Sequence, residues 1–278
     1  MERAVWIASQ VEADLTLLHS ERPDEYWDAE AGTFVDGRGG GHEGRRALDV
    51  ELAGLRKAGV DARLVVSPDP AWLATIHEVL REGIDVVVAG KRTNVDTDER
   101  RLGVVARKLM RKCPCAVWLE DPRQSSDPSV ILAATDLTPV GDRVLELAAS
   151  VAYAFGASLY VVHAYSVSLE AQLEGGEARR EHERRKGDAA REHIERNLAA
   201  GPMAGAARLH VGLTSPSQAI LEGVKRLRPG LVVMGTVSRG GIPGLLMGNT
   251  AERLIDRIDC ALLTIKPRDF VSPISAEV

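Results

Sequence analysis

The chain has 278 residues, 45% hydrophobic and 27% charged, with a net charge of −5; this ordinary globular composition excludes a disordered or collagen-like chain, and its length has room for two cores at ~150 residues each. Aromatics are only 4%, which leaves the cores to Val, Leu, Ile and Ala, and the acidic balance argues against a dedicated nucleic-acid binder, which carries a basic face. No apolar run reaches the ~18 residues of a membrane helix, the start MERAVWIASQVEADL lacks the basic-then-apolar order of a secretory signal, and three cysteines close no disulfide framework, so the expected location is cytoplasmic, with neither membrane nor nucleic acid as partner.

Helical apolar spacing covers residues 2–12, and Asp14-Leu15-Thr16-Leu17-Leu18-His19 follows as a strand. The Gly-rich stretch Gly37–Gly44 follows no clear strand and leads to no Lys-Ser/Thr pair. It reads as a flexible connection rather than a phosphate cradle. Ile84–Ala89 is an apolar run ending at Gly90. The segment Gly90–Val104 then carries Asp96, Asp98 and Glu99, which repel phosphate and are only partly offset by Lys91, Arg92, Arg100 and Arg101, so a solvated loop is expected. Lys108, Arg111 and Lys112 mark a solvated helix face that compensates the helix dipole. Cys113-Pro114-Cys115 has no second Cys/His pair at metal spacing, so buried thiols rather than zinc ligands are expected. Asp121–Pro128 is rich in Pro, Ser and Asp and reads as a linker.

Beyond the linker the pattern is cleaner. Residues 130–135 form a buried strand and about 142–155 a helix stopped by Gly156. Residues 159–164 form a second strand, and a charged, solvated helix spans about 169–200, irregular near Gly175-Gly176. A strand at 207–212, a helix at about 216–226 and a strand at 230–235 come next. A Gly-rich loop leads to a helix at about 249–258, and 260–265 is the last strand. Alternating strands and helices imply a parallel sheet covered on both faces, with ligands beyond the carboxyl ends of its strands.

The chain repeats itself. Gly235, Gly248 and Cys260 each lie 145 residues after Gly90, Gly103 and Cys115, and Val161-Val162-His163 lies 144 after Leu17-Leu18-His19. The expected domains are 1–120 and 128–268. The counterpart of residues 130–136 would fall before Met1, so the first copy is expected to lack its first, central strand. It either closes its sheet from four strands, is completed from elsewhere, or has its true start upstream of Met1.

The segment Gly235-Thr236-Val237-Ser238-Arg239 through Gly248-Asn249-Thr250-Ala251-Glu252 places glycines at a strand end, ahead of a helix N-terminus. Free N–H groups there suit an anion, although a Gly-rich turn capped by Asn249 or Thr250 fits the same spacing. With Ile131-Leu132-Ala133-Ala134-Thr135-Asp136 and the terminal run Cys260-Ala261-Leu262-Leu263-Thr264-Ile265-Lys266-Pro267, this segment resembles a universal stress protein domain, in particular the tandem E-type members. The resemblance implies an α/β fold of two tandem adenine-nucleotide-hydrolase-like domains with mostly parallel five-stranded sheets. It also implies ATP or AMP as candidate ligand in the second domain. By that resemblance Asp136 accepts from the adenine amino group beside Thr135. Ala164 and Met234 line adenine and ribose, and Gly235, Ser238, Gly248, Asn249 and Thr250 face the phosphates. Two identities depart from the family pattern: Ser238 stands at a Gly position and Asn249 at a Ser/Thr position. If Ser238 must adopt a positive φ, that costs roughly 1–2 kcal/mol.

No nucleotide-hydrolysing or nucleophile motif accompanies these residues, so a non-enzymatic stress-response protein is expected, without catalytic or metal residues. The alternative is a family scaffold or carrier that binds no nucleotide and acts through dimerisation or a small apolar ligand, with Leu245-Leu246-Met247 beside the loop. Pairing of the two domains within the chain, or a homodimer through the last strand, is also implied by the resemblance.

Overall fold

The computed structural model describes residues 2–21, 25–28, 33–36, 41–57, 59–91, 102–121, 128–166, 176–236 and 254–275, with backbone alone for 2, 25–28, 33–36 and 41–44. The chain divides into two compact units, Met1–Cys115 with Val271–Val278, and Ala116–Phe270.

The first unit runs α1 (Glu2–Val11), β1 (Leu15–Ser20), β2 (Glu25–Asp28), β3 (Thr33–Asp36), α2 (Gly41–Lys57), β4 (Ala62–Ser67), α3 (Ala71–Glu82), β5 (Val86–Gly90) and α4 (Val104–Lys112). Strands β1 and β4 pair in parallel from Leu15↔Ala62 to Ser20↔Ser67, over a small core of Leu17, Leu55 and Ala62. The expected connection at Gly37–Gly44 is corrected in part. Gly41–Gly44 form the first turn of α2, and residues 37–40 lie outside the described residues. The helix continues because Leu48, Leu52 and Leu55 recur at i, i+4 and i+7 and turn inward, and a first turn tolerates glycine where its N–H groups have no intrahelical partner. The loop expected over 90–104 falls mostly at 92–101, outside the described residues.

The second unit runs β6 (Ala116–Glu120), β7 (Val130–Ala134), α5 (Pro139–Ala154), β8 (Ser158–Tyr165), α6 (Gly176–Leu198), β9 (Arg208–Leu213), α7 (Pro216–Leu227), β10 (Leu231–Gly235) and β11 (Ala261–Ile265). Its sheet has the order β6-β11-β10-β7-β8-β9. Every pairing is parallel except β6 with β11, which is antiparallel from Leu262↔Leu119 to Thr264↔Val117. Strands β7, β10 and β11 are apolar along their length because both faces are covered: Ile131, Leu132, Leu231, Val232 and Leu262 are all fully buried. Strand order reverses between β7, which continues to β8, and β10, so the crevice at the carboxyl ends of those two strands is the ligand position of an open α/β sheet.

Helix α5 begins at Pro139, three residues earlier than its apolar spacing suggests. Thr138 is the N-cap, accepting from Gly141 N, and Pro139 takes the first helical position. Helix α6 is a solvated helix as expected. It buries one narrow stripe, Gly187, Ala190, Ile194 and Leu198, and lines its outer face with pairs such as Arg179–Glu183 at 2.8 Å and Arg184–Glu181 at 2.7 Å. Of the helix expected at 249–258, only the end from Leu254 lies among the described residues.

Candidate functional site

The apolar run of β7 delivers Thr135 and Asp136 to the carboxyl edge of the sheet. Two adjacent turns hold them there. Thr135 Oγ1 accepts from Leu137 N at 3.1 Å. Asp136 Oδ1 accepts from Thr138 N at 3.1 Å and from Thr138 Oγ1 at 2.5 Å. Leu137 sits in the left-handed region, with φ 59, which reverses the chain tightly enough for α5 to start over the strand. Gly141 makes that close approach: a Cβ there would stand 2.5 Å from Thr135 Oγ1 and 2.7 Å from Asp136 Oδ1. One oxygen of the Asp136 carboxylate is thus engaged by the turn, while the residue as a whole remains exposed.

Strands β8 and β10 bring the neighbours. Ala134 is paired with Val162 on one side and Met234 on the other, so Asp136 is level with Ala164, and Thr135 with Gly235. His163 lies between them, 8% exposed, with Nδ1 2.9 Å from Thr135 O. A carbonyl only accepts, so Nδ1 carries the proton and a neutral ring has Nε2 as its acceptor. Gly235 is packed against α5, and a Cβ there would stand 2.8 Å from Val140 Cγ1. Past it, Thr236 N donates to Ile265 O at 3.1 Å, which keeps the chain along β11 for one more residue. Lys266, directly after β11, has its Nζ 5.1 Å over the Phe270 ring, while its backbone oxygen accepts from Arg143 Nη1 at 2.6 Å.

Thr135, Asp136, Ala164, Met234 and Gly235 therefore share one sheet edge, around the crossover point between β7 and β10. Met234 is 4% exposed and largely committed to the core. Ser238, Gly248, Asn249 and Thr250 lie outside the described residues. Thr138, Val140, Gly141 and His163's bond to Thr135 were not assigned from sequence. The Thr138-Pro139 pair, an N-cap followed by Pro at N1, was the signal available for the first of them.

Among the described residues no group of three His, Cys, Asp or Glu side chains is placed to hold a metal. Cys113 and Cys115 lie 3.4 Å apart, sulfur to sulfur. Their hydrogen bond, together with burial, pushes the Cys115 thiol well above its ordinary range. It stays protonated at neutral pH, which makes it a poor nucleophile.

The universal stress protein family model matches this chain twice, over residues 1–119 and 129–266. A universal stress protein E from Photorhabdus laumondii is 25% identical over 237 residues, 79% of this chain and 74% of that protein. The Escherichia coli K12 protein of the same name is 41% identical over 68 residues, 24% of this chain and 22% of its own length. The chain thus spans about a fifth of the first curated relatives it matches. Among solved structures, a protein of unknown function from Pseudomonas aeruginosa PAO1 has a TM-score of 0.73 at 23% identity, covering 96% of this chain and 87% of that one. A universal stress protein from Archaeoglobus fulgidus has a TM-score of 0.64 at 17% identity, covering 95% and 92%. These last two likenesses concern the fold. No helix among the described residues is long and apolar enough to cross a membrane.

Proposed function

We propose, for a chain that belongs to the universal stress protein family, that the second unit binds an adenine nucleotide, ATP or AMP, in the crevice between β7 and β10. The carrying observation is that Asp136 and Gly235 leave two adjacent parallel strands on the same edge, at the strand-order reversal. Asp136 Oδ1 is engaged by Thr138, so the adenine amino group is assigned to Oδ2. Thr135, Ala164 and Met234 stand beside base and ribose, and Gly235 begins the phosphate-facing loop that continues through Ser238, Gly248, Asn249 and Thr250. The reading is of binding in a stress response, without turnover, by the second of two domains spanning 1–120 and 128–268.

Equilibrium binding of labelled ATP tests it. Asp136→Asn keeps an acceptor for Thr138 but can place an amide donor against the adenine amino group. Saturable binding by the native chain, weakened about tenfold or more in Asp136→Asn (~1.4 kcal/mol or above) with an unchanged melting temperature, supports the site. Gly235→Val is a harsher probe, because its side chain runs into Val140. No binding by the native chain at millimolar ATP overturns the reading.

One observation favours part of the second reading, a scaffold or carrier. Strand β11, the last of the sheet, is already covered by β6 of the same chain, so its edge is engaged without a second molecule. This supports pairing within the chain over a homodimer through that strand. Leu245-Leu246-Met247, the motive for a small apolar ligand, lies outside the described residues. Native mass spectrometry of the purified chain separates the readings: co-purified nucleotide supports the first, a lipid-like cargo the second.

A further inference from the structure

The Cys113-Pro114-Cys115 run takes no part in the candidate site, yet its local structure is tightly set. A residue ahead of proline is held out of the helical region. Helix α4 accordingly stops at Cys113, which is extended at φ −69 and ψ 129 while its N–H still donates to Leu109 O. Pro114 fixes its own φ near −65°. Residues in this conformation advance the chain by about 3.1 Å each, which puts the two cysteine Cα atoms about 6.2 Å apart, inside the span of about 4.4–6.8 Å found across disulfides. The sulfurs themselves lie 3.4 Å apart. None of the three cysteines is in a disulfide. Such a bond is about 2.05 Å long, so closure asks for about 1.4 Å of approach, which rotation about the two Cα–Cβ bonds can supply.

The repeat supplies a contrast. Cys260 lies 145 residues after Cys115, but Ile258 stands where the first copy has Cys113. Ile258 and Cys260 are both buried and belong to the core. In the first copy Cys113 is likewise fully buried, whereas Cys115 is half-buried. The pair thus joins a residue that reaches the surface to one that does not. The Cys115 thiol keeps its proton at neutral pH, through the Cys113 hydrogen bond and burial. That slows attack, because the thiolate is the nucleophile. It also favours the disulfide at equilibrium. Strongly oxidising dithiols owe their potential to a stabilised reduced form, and at neutral pH Cys115 contributes no thiolate to stabilise this one.

We propose that Cys113 and Cys115 form a thiol–disulfide site, oxidised by low-molecular-weight disulfides and reduced again by low-molecular-weight thiols. The Cys115 thiol loses its proton and attacks one sulfur of the external disulfide. That S–S bond breaks, and the departing half leaves as a thiolate that takes up a proton. Cys113 then loses its proton and attacks Cys115 Sγ in the mixed disulfide. The second half leaves as a thiolate and is protonated in turn, and the bond between Cys113 and Cys115 remains. The pair is oxidised by two electrons and the reagent is reduced by two. The site shares no residue with the nucleotide reading, so the two stand or fall separately.

Glutathione is the probe. The full chain is brought to equilibrium in anaerobic buffers of varied oxidised-to-reduced glutathione ratio, quenched with acid and alkylated. Mass spectrometry then reads the peptide that spans both residues. The expected product is that peptide lighter by two hydrogens and unalkylated, with Cys260 still alkylated, and excess reduced glutathione should reverse it. Because the fold holds the sulfurs in contact, the folded chain should close the bond at a ratio about tenfold or more lower in oxidised glutathione than the same chain in urea, a difference of about 30 mV. Cys113→Ser should stop the reaction at a glutathione adduct on Cys115, and Cys115→Ser should leave the buried Cys113 unmodified. The proposal is overturned by the absence of an internal disulfide at every ratio, by a glutathione adduct on Cys115 as the end product of the native chain, or by equal midpoints for the folded and unfolded chain.

Discussion

Single atoms decide the shape of the candidate site. At Gly141 the space for a side chain is taken by Thr135 Oγ1 and Asp136 Oδ1, at 2.5 and 2.7 Å from where a Cβ would be. Gly141→Ala is therefore expected to destabilise the second unit by about 1–3 kcal/mol through overpacking, read as a lower urea midpoint, although alanine is the better helix former. Cys115 makes a pH-dependent prediction. Its folded-state pKa is raised above the ordinary thiol value of 9.0 by the Cys113 hydrogen bond and by burial. The raised pKa means the stabilisation is fully present below that value and is lost as pH rises beyond it, when the unfolded thiol ionises and the folded one does not. The urea midpoint of the first unit should fall between pH 7 and pH 10, and less steeply in Cys115→Ala; equal slopes would sink this assignment. Asp136 was legible from its place after an apolar run. The glycine that makes room for it was not, since nothing in a sequence reports that a helix turn will pass within contact distance of a strand end.

At the scale of elements, a strand end and a helix start form one device. Thr138 caps α5 through Gly141 N at 3.3 Å and at the same time holds Asp136 through two bonds. Thr138→Ala should cost about 0.5–2 kcal/mol of stability, in the range for a lost cap, and should also weaken nucleotide binding. Thr138→Ser should restore both, because the hydroxyl carries the bonds. A Thr138→Ala variant that melts normally and binds normally would refute the coupling. The strands of the second unit were readable because a parallel sheet buried on both faces demands unbroken apolar runs, and β7, β10 and β11 supply them. The start of α5 was not, because capping chemistry rather than apolar spacing sets it. Helix α2 was missed for a related reason: its glycines resemble a linker, and the Leu48, Leu52 and Leu55 stripe that overrules them lies further along.

For the whole molecule, β6 carries the consequence. It lies at the end of the first repeat but is paired with β11 at the end of the second, with Thr264 Oγ1 donating to Val117 O at 3.2 Å. Strand β11 is buried along its whole length. A fragment of residues 129–266 would expose that apolar edge, and exposed flat edges seek another strand. Such a fragment should self-associate in a concentration-dependent way by sedimentation, and more strongly than residues 116–270, which keep β6 over that edge; equal association of the two fragments would refute the role given to β6. Repeat, fold class and the alternation of strand with helix were determined by the sequence alone, because periodic burial and fixed offsets are local or self-referential properties that survive without coordinates. Tertiary structure alone decided that β7 and β10 are direct neighbours at the edge where Asp136 and Gly235 leave the sheet, and that β6 closes β11. Strand order and register bring together residues a hundred positions apart, and no local pattern specifies them.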